Sequence, residues 1–363
     1  MIARTATRRD GMTLVELLVV VAIIGLLAVT VLPSLANSTE GRRTRETARL
    51  LTSFIARSQA NAFGKGFPTG FAVRRIGSDV RDPAIDLMPS RVPDAYRGDS
   101  PSAYVRGIAT TLSSGQPVMT LSFTDAFTTG TFMSCASGDL IRFGGSGPWY
   151  LVLADATGTA CTLRSGSNTA VDSMAGQTLL NTPWPKDSAR LPFELQRQPQ
   201  PAGAVASLGE GRCVDVFWSS LGQPSRGYVG EDLSPTSAAR STLISVLFDA
   251  SGGLRQVVAG SNRFSPDGPV LLLIGRIDRA GADPVFPLPA NATDDSQGAN
   301  WQYPDSMWVA IDPISGICRS AASDAAAAAQ TPPPSHTTLA DQILWRLRQS
   351  QTTIRSALFT GAQ

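Results

Sequence analysis

The sequence predicts an α+β protein in which a long N-terminal helix packs on a β-rich domain with an antiparallel sheet. No charged side chain occurs from Leu17 to Ser38, and about 20 apolar residues let a helix cross a ~30 Å hydrocarbon core. The following residues, 37–62, keep a helical spacing of apolar side chains. After residue 68 the apolar runs are short and end at Gly, Pro, Asp or Ser, which favours strands joined by turns.

The composition is that of an ordinary folded protein, with 363 residues and a net charge of +2. This length allows one large domain or two small ones. No basic patch with interleaved aromatic residues occurs, so we expect no nucleic-acid binding.

The first element contains one carboxylate, Glu16, at the edge of its apolar run. An unpaired carboxylate there costs on the order of 2 kcal/mol or more, so we expect a partner for it. Two simpler interpretations are a plain membrane anchor and an ordinary signal peptide cut before Asn37, after the small residues Ser34 and Ala36. Glu16 and the length of the apolar run are unusual for a signal peptide.

The run from Gly11 to Glu16 reads GMTLVE and precedes the apolar helix, and it resembles the class III leader of type IV pilins and type II secretion pseudopilins. The resemblance implies that prepilin peptidase cuts between Gly11 and Met12 and that Met12 becomes N-methylated. It also implies that Glu16 pairs with the Met12 amine of a neighbouring subunit, because opposite charges neutralise each other in a low-dielectric helix bundle. Position 12 is usually Phe in this family, and Met is a departure that other members share.

The same resemblance implies a single-pass protein of the inner membrane, with its globular domain in the periplasm of a Gram-negative-type cell. Its partners would be prepilin peptidase, other pilin-like subunits contacted through the N-terminal helix, and an inner-membrane assembly platform. The product would be a type II secretion pseudopilus or a type IV pilus, and neither enzymatic activity nor a cofactor is expected. The alternative is an exported or membrane-anchored periplasmic or surface binding protein with no filament role.

The orientation in the membrane does not follow from charge. Arginines are about as dense after the apolar helix as before it, so the positive-inside rule does not decide the topology.

The predicted division of the chain is a class III leader at 1–11, a transmembrane helix at 12–36, its periplasmic amphipathic continuation at 37–62, a β-rich domain at 63–320, an Ala/Pro linker at 321–336 and a C-terminal helical tail at 337–363.

The amphipathic continuation carries apolar or small side chains on one stripe, which predicts packing on a domain. Within the whole helix, Pro33 lacks a backbone donor and should kink or locally melt it, and Gly41 is a second weak point. The stripe consists of Ala48, Leu51, Phe54 or Ile55, Ser58 and Ala62.

The β-rich part contains eleven candidate strands. They are Thr69 to Arg74, Tyr104 to Leu112, Val118 to Phe123, Leu140 to Phe143, Trp149 to Ala154, Arg190 to Arg197, Cys213 to Trp218, Ser241 to Asp249, Leu254 to Val258, Pro269 to Arg276 and Met307 to Ile311.

Residues 243–258 predict a hairpin with its turn at Asp249 to Gly253. This hairpin and residues 308–317 resemble the globular domain of H-type minor pseudopilins (GspH/FimT). The domain is much longer than usual for that family, so residues 75–235 and 277–305 are interpreted as insertions.

The C-terminal tail fits an amphipathic helix interrupted around Ser350 to Thr353. Both docking onto the domain and binding of a partner remain open. The apolar positions are Leu339, Ile343, Leu344, Leu347, Ile354 and Leu358.

Other chemistry has weak support. The four cysteines are far apart, so a zinc site is not expected, whereas one or two disulfides are possible in an oxidising compartment and Cys135 with Cys161 is the first pair to consider. The two other cysteines are Cys213 and Cys318. Asn291, Asp294 and Asp295 are weak calcium candidates. Their spacing matches no EF-hand and a solvated acidic turn explains them better, so no metal site is predicted.

Overall fold

The structure is a computed structural model, and it describes residues 14–111, 117–124, 135–145, 149–154, 161–164, 190–222, 243–260, 262–286 and 297–359. Helix α1 extends from Leu14 to Lys65. The helix continues without a break through Pro33 and Gly41, so the expected local melting does not occur. A bend at Pro33 stays a prediction. A prolyl nitrogen removes one hydrogen bond of the helix ladder, and a long helix can lose one without ending.

Seventeen strands lie within the described residues. They are β1 (Thr69–Arg75), β2 (Ala84–Arg91), β3 (Tyr104–Thr111), β4 (Pro117–Thr124), β5 (Leu140–Phe143), β6 (Tyr150–Ala154), β7 (Cys161–Arg164), β8 (Phe193–Gln196), β9 (Gln200–Pro201), β10 (Ala206–Ser207), β11 (Arg212–Leu221), β12 (Leu243–Phe248), β13 (Leu254–Ala259), β14 (Asn262–Phe264), β15 (Val270–Arg276), β16 (Met307–Ile311) and β17 (Cys318–Ala322).

The larger sheet is antiparallel and has the strand order β14-β13-β12-β1-β2-β11-β15-β16-β17, with β9 and β10 also paired to β2. Gly70 of β1 lies opposite Leu247 of β12. A Cβ atom at Gly70 would lie 1.8 Å from the carbonyl oxygen of Val246. Glycine therefore allows these two strands to approach at this point.

Both faces of the larger sheet are buried. Leu272 and Val309 point towards α1, whereas their chain neighbours Leu273 and Trp308 point towards the opposite side, as the two-residue period of a strand requires. The opposite side is covered by the C-terminal helices α2 (Ala325–Ala328), α3 (Leu339–Ser350) and α4 (Thr352–Phe359). The tail therefore docks on the domain, and Ala328 in the expected linker is also buried.

The second sheet has the strand order β3-β4-β7-β6-β5-β8. Its two edges meet, because Leu191, just before β8, exchanges backbone hydrogen bonds with Val105 of β3, both 3.0 Å long. The six strands thus form a small closed barrel with its own apolar centre, which includes Leu121, Ile141 and Phe193. Its strands lie between residues 104 and 196, within the predicted insertion 75–235, whereas β2 and β11 from the same stretch belong to the larger sheet.

All eleven predicted strands correspond to strands of the structure. The prediction missed β2, β7, β9, β10, β14 and β17. Strand β2 contains Asp86 and Pro89, which mark turns in a sequence, yet it pairs with β1 over its whole length. Tertiary pairing overrode local propensity in this strand.

Candidate assembly site

The first described turns of α1 present an apolar surface on all sides. Leu14 is 79% exposed and Leu26 is 71% exposed, and the one charged residue between them is Glu16 in the first turn. A carboxylate in this position interacts favourably with the helix dipole. A helix that is apolar all round requires lipid or other protein as its surroundings. The exposed apolar side chains are Leu14, Val15, Leu17, Leu18, Val19, Val20, Val21, Ile23, Ile24 and Leu26.

Gly11 and Met12 lie outside the described residues, as do the side chains of residues 27–40 of α1. Among the parts of the chain that the structure describes, no helix has the length and hydropathy that crossing a membrane requires.

The later turns of α1 pack on the larger sheet. Ala48, Leu51, Ile55 and Ala62 are completely buried, as the helical stripe predicts. The hydroxyl of Thr47 donates a hydrogen bond of 3.1 Å to the carbonyl oxygen of Leu208. The predicted stripe is therefore correct, and the helix ends at Lys65, three residues later than expected.

One side chain of α1, Gln59, joins two turns, one in each of the segments that the sequence singled out. Its Nε2 donates to the carbonyl oxygen of Gly252 at 2.9 Å and to that of Ser315 at 2.8 Å. We call Gln59 and the turns 249–253 and 312–316 the turn clasp. The sequence predicted the turn at 249–253 and singled out residues 308–317 for a resemblance, but it did not indicate Gln59, because a glutamine on a helix has no local signal for a distant acceptor.

Both turns of the turn clasp are built on an aspartate. Asp249 Oδ1 accepts from the backbone N–H of Ser251 at 2.8 Å, and Asp312 Oδ2 accepts from the backbone N–H of Ser315 at 2.7 Å. Burial raises the pKa of Asp249, but the hydrogen bonds from Ser251 and neighbouring backbone N–H groups outweigh it and leave the pKa below its ordinary value. Asp249 therefore stays ionised at neutral pH and holds its turn.

The two turns also touch directly. Gly316 has a φ of +66°, and a Cβ atom there would lie 2.0 Å from the carbonyl oxygen of Gly252. The N–H of Leu254 donates to the carbonyl oxygen of Pro313 at 2.9 Å. These contacts bring the hairpin at residues 243–258 and the segment 308–317 together beside α1.

The cysteines do not form the full disulfide set that the sequence allowed. Cys213 and Cys318 carry free thiols. They lie on β11 and β17, with two strands between them, which places them at least about 14 Å apart at the usual strand spacing and beyond the reach of a disulfide. Burial raises the pKa of Cys318 to about 12. The side chain of Cys161 is not among those described, so its pairing with Cys135 stays a prediction.

The weak calcium candidates Asn291, Asp294 and Asp295 also lie outside the described residues.

Comparison with known proteins identifies the class of the N-terminus. Residues 7–32 match the family described as the prokaryotic N-terminal methylation motif, which is a class III prepilin leader. This motif indicates a type IV pilin-like precursor, and such a leader implies processing by prepilin peptidase, association with other pilins and membrane-anchored export through the N-terminal helix. No curated protein and no solved structure matches the chain.

Proposed function

We propose that this protein is a pseudopilin or minor pilin subunit that is assembled into a type II secretion pseudopilus or a type IV pilus. One observation carries the proposal: the methylation motif leads directly into a helix whose described start is apolar on all sides except for Glu16. Such a helix matches a filament core, where identical helices cover each other's apolar surfaces.

In this proposal the peptidase cuts between Gly11 and Met12, and Met12 is then N-methylated. The Met12 amine and the Glu16 carboxylate of adjacent subunits pair and fix the axial register, since an unpaired charge among apolar helices is strongly unfavourable. The role is structural, without catalysis or a cofactor.

Before assembly, the N-terminal helix would hold the subunit in the inner membrane, with the domain in the periplasm. The sequence supports this location because it contains no charged residue from Leu17 to Ser38. The assembly platform of that membrane would then extract the subunit. Resemblance of the turn-clasp segments to H-type minor pseudopilins supports a minor subunit rather than a major one.

The test combines N-terminal mass analysis with a matched pair of variants, Glu16→Ala and Glu46→Ala. Both glutamates lie on α1 and have exposed side chains. We expect wild type and both variants, purified from native membranes, to start at N-methylated Met12. Disulfide cross-linking between cysteines engineered into the N-terminal helices of neighbouring subunits should show that Glu46→Ala enters filaments and Glu16→Ala does not.

A chain that starts at Asn37 would contradict the proposal, because Glu16 and the apolar helix would then be absent from the mature protein. Normal assembly of Glu16→Ala would also contradict it and would favour the anchored binding protein, for which this substitution is harmless.

A further inference from the structure

The small barrel contains a pocket that lies outside the N-terminal helix. Its volume is about 760 Å³, which lies within the range of small-molecule sites. It is lined by residues 97–101 and 103 from the loop before β3, by Arg142, Gly144 and Gly145 at the end of β5, and by residues 192–194 at the start of β8.

The pocket exists because the barrel closes imperfectly. Two bridges join its edges, Tyr96 with Leu195 and Val105 with Leu191. On one side of this seam, Tyr96 and Val105 are nine positions apart, whereas Leu191 and Leu195 on the other side are only four apart. The longer segment must therefore bulge outwards, and the bulge forms one wall of the pocket.

Two arginines meet one carboxylate in this pocket. Arg97 donates to Glu194 Oε1 at 2.7 Å, and Arg142 donates through Nε to Glu194 Oε2. The Glu194 side chain is 6% exposed. The hydrogen bond from Arg142 lowers the pKa of Glu194, burial opposes this, and Arg97 adds to the lowering, so the carboxylate is ionised at neutral pH. Glu194 thus orients both guanidinium groups.

Within the described part of the chain, these arginines use only a few of their hydrogen-bond donors. Among the described residues, Arg97 and Arg142 make no hydrogen bonds or ion pairs other than those to Glu194. A guanidinium carries five N–H donors in a planar fork, and the Cζ atom of Arg142 lies over the Trp149 ring, 4.8 Å from its centre. The two carboxylates of the pocket already have donors, because Glu194 uses both oxygens and Asp99 accepts from the Tyr96 hydroxyl at 2.7 Å.

We propose that this pocket binds a small ligand through an oxyanion, a carboxylate or a phosphate, held between Arg97 and Arg142. A ligand must supply acceptors where the pocket offers donors, and a planar guanidinium pairs with either oxyanion through two parallel hydrogen bonds. The volume suits a single acidic sugar or a short acidic peptide end. This inference is independent of the proposed filament role.

The test is isothermal titration calorimetry of the full chain in neutral detergent, with galacturonate, inorganic phosphate and galactose as probes. We expect saturable binding of at least one of the two anions and none of galactose, which has nearly the same shape as galacturonate but no charge. Tighter binding of galacturonate assigns the site to carboxylates, and tighter binding of phosphate assigns it to phosphates.

Two variants test the residues. Arg97→Ala removes a side chain that is 73% exposed, so it should leave the fold intact and weaken anion binding about tenfold, the usual effect of losing one charge-assisted hydrogen bond. Arg74→Ala is the control, because Arg74 also pairs with a carboxylate, Asp86, but lies outside the pocket. Absence of binding by both anions, equal binding of galactose, or unchanged binding by Arg97→Ala would each overturn the proposal.

Discussion

Asp215 is completely buried where the pairing of β11 with β15 is irregular. Its carboxylate accepts from Asn300 Nδ2 at 2.9 Å and from the N–H of Gly281 at 3.2 Å. No ion-pair partner for it occurs among the described residues. Burial raises the pKa of Asp215 to about 6, although these hydrogen bonds and one from the N–H of Trp218 lower it. This single residue should therefore make the stability of the domain depend on pH.

We predict that Asp215 makes the domain less stable as the pH rises from about 4 to about 6. The folded state holds this proton to a higher pH than the unfolded state, so the stabilisation is complete below the unfolded pKa and disappears through the folded one. The change is on the order of 3 kcal/mol, at about 1.4 kcal/mol per pKa unit. Urea unfolding across this pH range should show that Asp215→Asn removes this decrease of the unfolding free energy with pH.

Other carboxylates titrate in the same range, so the control for that experiment is Glu210→Gln, whose side chain is exposed. Its pH slope should equal that of the wild type. If Asp215→Asn also kept the wild-type slope, the buried carboxylate would not be the source of the dependence.

At the scale of elements, the C-terminal helices complete the core. Leu347 of α3 and Ile354 of α4 are buried against the sheet side that contains Trp301 and Trp308. Asp324 connects the segments, because its N–H donates to the carbonyl oxygen of Ser350 at 3.0 Å. The helices are part of the domain, and removing them would expose two tryptophans.

Helix α3 contains one buried and one exposed leucine, so substituting each of them tests this packing. Leu347→Ala should lower the free energy of unfolding by about 2 to 5 kcal/mol, because it leaves a cavity in the core. Leu339→Ala changes the same residue type in the same helix where the side chain is 67% exposed, and it should cost much less. Equal effects of the two substitutions in urea denaturation would show that the tail does not dock as described.

At the scale of the whole molecule, contacts divide the chain into Met1–Arg43 and Thr44–Gln363. The second unit contains both sheets, the C-terminal helices and the buried stripe of α1, so it holds a complete core. The first unit includes the apolar helix start and the methylation motif.

A chain that begins at Thr44 should therefore fold without the first unit. We expect it to remain monodisperse without detergent and to show a cooperative thermal transition, since the exposed apolar side chains from Leu14 to Leu26 are gone. The full chain should need detergent. Light scattering and circular dichroism of both chains check this, and an unfolded or aggregated shorter chain would contradict the division at Arg43.

The sequence by itself determined the N-terminal class, the buried stripe of α1 and most strands. These features depend on local signals: GMTLVE is contiguous, Leu51 and Ile55 follow the helix period, and a strand such as Val270–Arg276 is a continuous apolar run. Each can be recognised without knowing what lies across from it.

Only the tertiary structure decided what distant residues build together. Gln59 meets Ser315 across 256 positions, Asp215 meets Asn300 across 85, and Arg142 meets Glu194 across 52. The closure of the barrel also depends on pairing between Val105 and Leu191. Such contacts have no local pattern, because the side chains involved are ordinary polar or apolar residues whose role comes from the neighbours that the fold gives them.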